Sequence, residues 1–120
     1  MAKTLKGEHG QQVRLFQWAA VQEANYPELR WLFAVPNGGA RHVAVASKLK
    51  AEGVKAGVWD VFLPVPKGKC PGLWIEMKYG KNKLTPKQRE FEEHLERHGY
   101  ERLVCYDWND AADKLEEYLG

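Results

Sequence analysis

Two cysteines in 120 residues, Cys70 and Cys105, are too few for the disulfide framework that staples small secreted domains, and they show no C-x-x-C spacing. Both are expected to be reduced and buried. No apolar run approaches the roughly 18 to 20 residues that cross a bilayer, and residues 1–7 are basic without the apolar stretch of a signal peptide. The expectation is a cytoplasmic protein with no membrane partner. Internal repeats and low-complexity segments are also missing. Net charge is only +2, which by itself selects no ligand.

What is present is the composition of one ordinary globular domain, with 44% hydrophobic residues, 28% charged residues and five tryptophans. A chain of 120 residues has room for one core, so residues 1–120 are read as a single domain. The charge is unevenly spread. Residues 1–66 carry 8 basic and 5 acidic side chains, residues 67–89 carry 7 and 1, and residues 90–120 carry 3 and 10. A basic middle segment is the electrostatic footprint expected beneath a phosphate backbone, although a solvated face has the same composition.

Four helices are expected. Residues 8 to 23 bring Val13, Phe16, Trp18, Ala20 and Val21 to near-helical spacing, and Pro27 ends the run. A second helix spans 40 to 51, after Asn37-Gly38-Gly39 and before Gly53. Thr85-Pro86-Lys87-Gln88 opens a third with a cap hydroxyl, a proline at the first helical position and a glutamine at the third, and Gly99 stops it. The fourth begins near Trp108 or Asn109 under an Asp107 or Asn109 cap and turns Ala111, Leu115, Tyr118 and Leu119 inward.

Apolar runs of strand length lie between the helices, at 31 to 35, 58 to 65, 73 to 79 and 102 to 106. The second and third form an antiparallel pair across the glycines and prolines of 66 to 72. The last should return parallel to the third through the intervening helix. The order αβαββαβα gives an α/β fold, a small mixed sheet flanked by helices.

In Leu73-Trp74-Ile75-Glu76-Met77-Lys78-Tyr79 strand alternation sends Glu76 and Lys78 to one face and Ile75 and Met77 to the other. Asp60 is the only charge in Gly57-Val58-Trp59-Asp60-Val61-Phe62 and would be costly to bury alone. Antiparallel pairing brings Asp60 towards Glu76. Two carboxylates pressed together need a cation between them, and oxygen ligands suit Mg²⁺ or Mn²⁺ better than Zn²⁺. Structural readings stand beside these. Glu76 and Lys78 also suit a surface ion pair, and Gln88 completes a capping box with Thr85. Glu8 suits the first turn of a helix by its charge, and His94 and His98 suit a solvated helix face rather than a zinc site.

Asp60 followed by Glu76-Met77-Lys78 resembles the D…(D/E)-x-K core of the PD-(D/E)xK nucleases. Further matches narrow the resemblance to the VRR-NUC domain, the virus-type replication and repair nuclease. They are Glu8 and Gln12, Val35-Pro36-Asn37-Gly38-Gly39-Ala40-Arg41, Glu52-Gly53-Val54, Leu84-Thr85-Pro86-Lys87-Gln88 and His98-Gly99-Tyr100, so the likeness runs over residues 8–119. Trp59 departs from the pattern, standing where the family usually has proline before the aspartate.

The resemblance implies a restriction-endonuclease-like fold and a Mg²⁺-dependent DNA endonuclease, with Mn²⁺ as a possible substitute. Asp60, Glu76, the main-chain carbonyl of Met77 and, at longer range, Glu8 are the implied metal ligands, with Gln12 helping to hold Glu8. Lys78 and Gln88 are implied at the attacking water or the phosphate. Arg41, Lys81, Lys83 and Lys87 are expected on the DNA backbone. Stand-alone members of the family resemble Holliday-junction resolvases, which implies branched DNA and a homodimer, of phage or prophage type. The alternatives are a non-catalytic DNA-binding or assembly module on the same fold, a flap nuclease, and a restriction-type enzyme.

Overall fold

The computed structural model of the chain describes residues 7–36 and 43–120. The expected Asn37-Gly38-Gly39-Ala40 turn and Arg41 lie outside the described residues, as does the start of the expected second helix. Helix α1 runs over Gly7–Gln22, and a short 3-10 turn over Pro27–Trp31 leads into β1, Phe33–Ala34. Helix α2, Val43–Ala51, precedes β2, Val61–Leu63, and β3, Leu73–Met77. Helix α3, Pro86–Arg97, leads to β4, Glu101–Cys105, and α4, Trp108–Leu119, follows. The order is the expected one, with the 3-10 turn added.

The strands form a mixed sheet in the order β1-β2-β3-β4. β2 pairs antiparallel with β1 and β3, and β3 pairs parallel with β4 across α3. The strands are shorter than their apolar runs, because Pro64 and Pro66 interrupt the ladder after β2 and Trp31 belongs to the 3-10 turn. At the β2–β3 connection Lys67 and Cys70 exchange both backbone hydrogen bonds at 2.9 Å, which closes a tight turn.

Alternation divides the sheet into two faces. Val61, Leu63, Leu73, Ile75 and Met77 point to one side and join Leu15 and Ala19 of α1 and Ala111, Ala112, Leu115 and Leu119 of α4 in the main core. The other side carries Asp60, just ahead of β2, with Phe62, Trp74, Glu76 and Lys78, and α3 packs there through Phe91, whose ring meets that of Trp74 edge-on at 5.1 Å. Phe62 stacks on Trp74 at 4.3 Å. Charged chemistry is thus separated from the main core by the thickness of the sheet.

Both expected caps are present. Thr85 Oγ1 accepts from the Gln88 N–H while Gln88 Oε1 accepts from the Thr85 N–H, and Asp107 Oδ1 accepts from the Asn109 N–H. Gln11 of α1 accepts the Trp108 N–H at 2.7 Å and ties the two core helices together. The inward face of α1 differs from the expected one. Leu15 and Ala19 are buried, Phe16 and Trp18 pack at the margin, and Val21 is 71% exposed. Apolar residues lie nearly all round this helix, so its contact with α4 and β3 selects the stripe. Cys105 is buried and Cys70 only half-buried, and neither forms a disulfide. Burial pushes the Cys105 thiol up to about 12, so it stays protonated.

The α1 packing makes a direct forecast. Leu15→Ala should cost about 3 kcal/mol in denaturant unfolding and Val21→Ala no more than about 0.5 kcal/mol; the reverse ranking would restore the expected face.

Candidate active site

Two adjacent segments build the centre from their backbones outward. The Asp60 N–H donates to Glu76 Oε1 at 3.1 Å, and the Met77 N–H donates to Asp60 Oδ2 at 3.0 Å. Each carboxylate therefore accepts from the other strand's main chain, just beyond the last paired residues Val61 and Ile75. This reciprocal pair brings the two acids together at the strand register the sequence implied.

Lys78 and Gln88 close the cluster. Lys78 Nζ lies 3.4 Å from Glu76 Oε2 and donates to Gln88 Oε1 at 2.7 Å, while Gln88 Nε2 donates to Glu76 Oε2 at 2.9 Å. Glu76 is 1% and Lys78 6% exposed, so theirs is not the solvated surface pair of the structural reading. Gln88 serves two purposes at once. The same Oε1 that receives the Lys78 proton also receives the Thr85 N–H of the capping box, which couples the start of α3 to the charged centre.

Burial drives both carboxyl groups up, Asp60 to about 6 and Glu76 to about 8. For Glu76 the next cause is repulsion from Asp60, partly offset by the positive charge of Lys78. For Asp60 the Met77 N–H and Lys78 oppose the rise, and the charge of Glu8 adds to it. Near neutrality the pair by itself retains a proton that a divalent cation would displace. Hard oxygen donors and the mutual repulsion of the two acids fit Mg²⁺ or Mn²⁺. Among the described residues no group of three or more His, Cys, Asp or Glu side chains gathers as a metal cluster, so the centre offers two carboxylates.

Glu8, in the first turn of α1, is half-buried and close enough to act on Asp60 through its charge. Gln12, one turn on from Glu8, lines a shallow apolar groove on α1 with His9, Val13, Phe16, Gln17 and Ala20. Lys81, Lys83 and Lys87 are exposed on the connection leaving β3 and at the start of α3. Arg41 lies outside the described residues. His94 and His98 lie with ring centres 4.5 Å apart, tilted at 47°, on the exposed side of α3, as the solvated-face reading has it.

One contact was not foreseen. Trp59, fully buried, donates its indole N–H to the Gln88 main-chain carbonyl at 3.1 Å. The available signal was a tryptophan in an apolar run, since a buried indole must find an acceptor.

A mixed sheet with a carboxylate pair and a lysine on its α3 face defines a class, the restriction-endonuclease-like α/β domains. Comparison makes it particular. The VRR-NUC domain profile matches residues 2–108. A solved structure described as a VRR-NUC domain protein is 30% identical and superposes with a TM-score of 0.76, covering 96% of this chain and 93% of that one. No curated protein matches. The chain belongs to the VRR-NUC domain family, a nuclease family. DNA binding follows from that membership, and among the described residues no helix is long and apolar enough to cross a membrane.

The raised acids set the sign of a pH effect. Their folded values exceed the ordinary 3.8 and 4.5, so the folded state binds more protons between about pH 4 and pH 8, and this contribution to stability is lost as pH rises through that window. Metal-free protein should melt at progressively lower temperature from pH 5 to pH 8.5. Glu76→Gln, which cannot ionise, should fall less steeply, and parallel profiles for the two proteins would contradict the elevated Glu76 value.

Proposed function

We propose that the domain is a metal-dependent DNA endonuclease that hydrolyses phosphodiester bonds, with Mg²⁺ as its cofactor and Mn²⁺ as a substitute. The observation that carries this reading is the convergence of Asp60, Glu76, Lys78 and Gln88 on one face of the sheet, in a chain of a nuclease family. Asp60, Glu76 and the Met77 carbonyl would hold the ion, with Glu8 acting at longer range, and the ion would polarise the phosphate and acidify the attacking water.

The chain's own side chains do the rest. Lys78 offsets the negative charge that grows on the phosphate, in a buried setting where one donor counts for more than in water. Gln88 orients Lys78 and presents its amide to the reacting group. The start of α3 favours an anion through its backbone dipoles. Lys81, Lys83, Lys87 and Arg41 would take the DNA backbone as it leaves the centre.

The substrate in this reading is branched DNA of the Holliday-junction type, and the active form is a homodimer. The described residues contain a single such centre, whereas resolving a four-way junction takes two symmetric cuts, which a twofold pair of chains supplies.

A panel of labelled junction, flap and linear duplex substrates tests the reading. Junction cutting should require Mg²⁺ or Mn²⁺ and stop with EDTA. Asp60→Asn, Glu76→Gln and Lys78→Ala should each lower it by about 10² or more while folding and DNA binding persist. Binding without cutting, unaffected by these substitutions, would favour the non-catalytic alternative. Sedimentation should give twice 13.8 kDa, and a fully active monomer would remove the dimer.

A further inference from the structure

The nuclease reading leaves unexplained why a tryptophan is buried immediately before Asp60, at the position where the resembled family has proline. Trp59 is 0% exposed, and its indole N–H is satisfied by the main-chain carbonyl of Gln88 at 3.1 Å. Two residues earlier, Gly57 has φ +93°, and a Cβ there would lie 2.7 Å from the Lys87 carbonyl oxygen and 2.8 Å from the Lys87 carbonyl carbon and Cβ. Backbone is pressed on backbone. Residues 57–59 thus touch the first turn of α3 at two consecutive residues, Lys87 and Gln88. The next residue, Asp60, is bonded to β3 through the Met77 N–H.

The remaining contacts of α3 lie further along the helix. Phe91 packs on Trp74, Leu95 is buried, and Arg102 of β4 pairs with Glu96 at 3.4 Å and approaches Glu92 at 3.9 Å. They hold the middle and end of the helix against the sheet. The first turn has a stricter task. The Gln88 side chain makes three hydrogen bonds, to Glu76, Lys78 and the Thr85 N–H, all between 2.7 and 2.9 Å, which leave little slack. Gln88 also draws the Lys78 nitrogen to itself at 2.7 Å, leaving it 3.4 Å from Glu76 Oε2. Without that hold, Lys78 would close onto the carboxylate that is meant for the cation.

We propose that Trp59 is a positioning residue: with Gly57 it forms a strap that sets the first turn of α3 over the Asp60–Glu76 pair, so that the Gln88 side chain can hold Lys78 in its working place. The inference rests on the nuclease reading for its effect on cutting, and on geometry alone for its effect on the helix.

The substitution that isolates the strap is Trp59→Phe, which keeps an aromatic ring and removes the N–H. Gln88→Ala removes the positioned side chain but keeps the carbonyl that Trp59 bonds. Trp59→Phe should lower kcat for junction cutting about tenfold with KM within about twofold, because a misplacement on the order of 1 Å weighs on the reacting geometry rather than on DNA binding. In a Gln88→Ala background it should lower kcat no further. Unchanged cutting in Trp59→Phe, or losses in rate that multiply in the double variant, would overturn the proposal.

Amide exchange reads the strap independently of catalysis. The Thr85 amide, held by Gln88 Oε1, should exchange about tenfold faster in Trp59→Phe, corresponding to one lost hydrogen bond, while amides in the last turn of α3 stay protected. If wild-type protein cuts no DNA but Thr85 exchange rises, the nuclease reading fails and the strap stands; unchanged Thr85 exchange removes the strap whatever the activity. Gly57→Ala, which pushes on the same turn through Lys87, should give the same exchange signature and serves if Trp59→Phe does not fold.

Discussion

A buried and a half-buried carboxylate beside a single buried lysine are the constraint around which this domain is arranged. Desolvation and repulsion together oppose ionising both, and the protein offsets that only in part, with two backbone N–H groups, the Gln88 amide and the positive charge of Lys78. A fold selected for stability alone would put apolar side chains there, since a buried charge cluster seldom outdoes well-packed hydrocarbon. The arrangement is intelligible if a divalent cation completes the site, because the ion's attraction for each carboxylate would outweigh their mutual repulsion.

The rest of the architecture serves this arrangement. The main core, between the sheet and helices α1 and α4, holds β2 and β3 in the register that brings Asp60 to Glu76. The opposite face is closed by one helix, α3, whose N-terminal residues belong both to a capping box and to the charged centre. A capping glutamine normally satisfies local backbone groups alone. Here its carbonyl oxygen is shared between the Thr85 N–H and Lys78, so the helix cap and the charged centre meet at one acceptor.

Much of this was legible in the sequence where short-range rules apply. The period of two in β3 placed Glu76 and Lys78 on one face, the Thr85-Pro86-Lys87-Gln88 run gave the start of α3, and the Gly99 and Asp107 signals bounded the elements that follow. The antiparallel β2–β3 pair followed from the glycines and prolines between them, and the parallel return of β4 from the intervening helix, whereas the edge place of β1 was not foreseen. What failed depended on three-dimensional packing. Leu15 and Ala19 form the inward stripe of α1, which its nearly all-round apolar pattern did not reveal. The Trp59–Gln88 bond joins residues 29 apart through a main-chain carbonyl, and no side-chain spacing encodes such an acceptor.

Crystals of the protein soaked in Mn²⁺, with anomalous scattering collected at the manganese edge, address the shared premise of site and mechanism. The account predicts one strong peak within coordination distance of both the Asp60 and the Glu76 carboxylates, with Lys78 still held by Gln88. A map with no peak there, or with manganese bound only at surface carboxylates elsewhere, would contradict it.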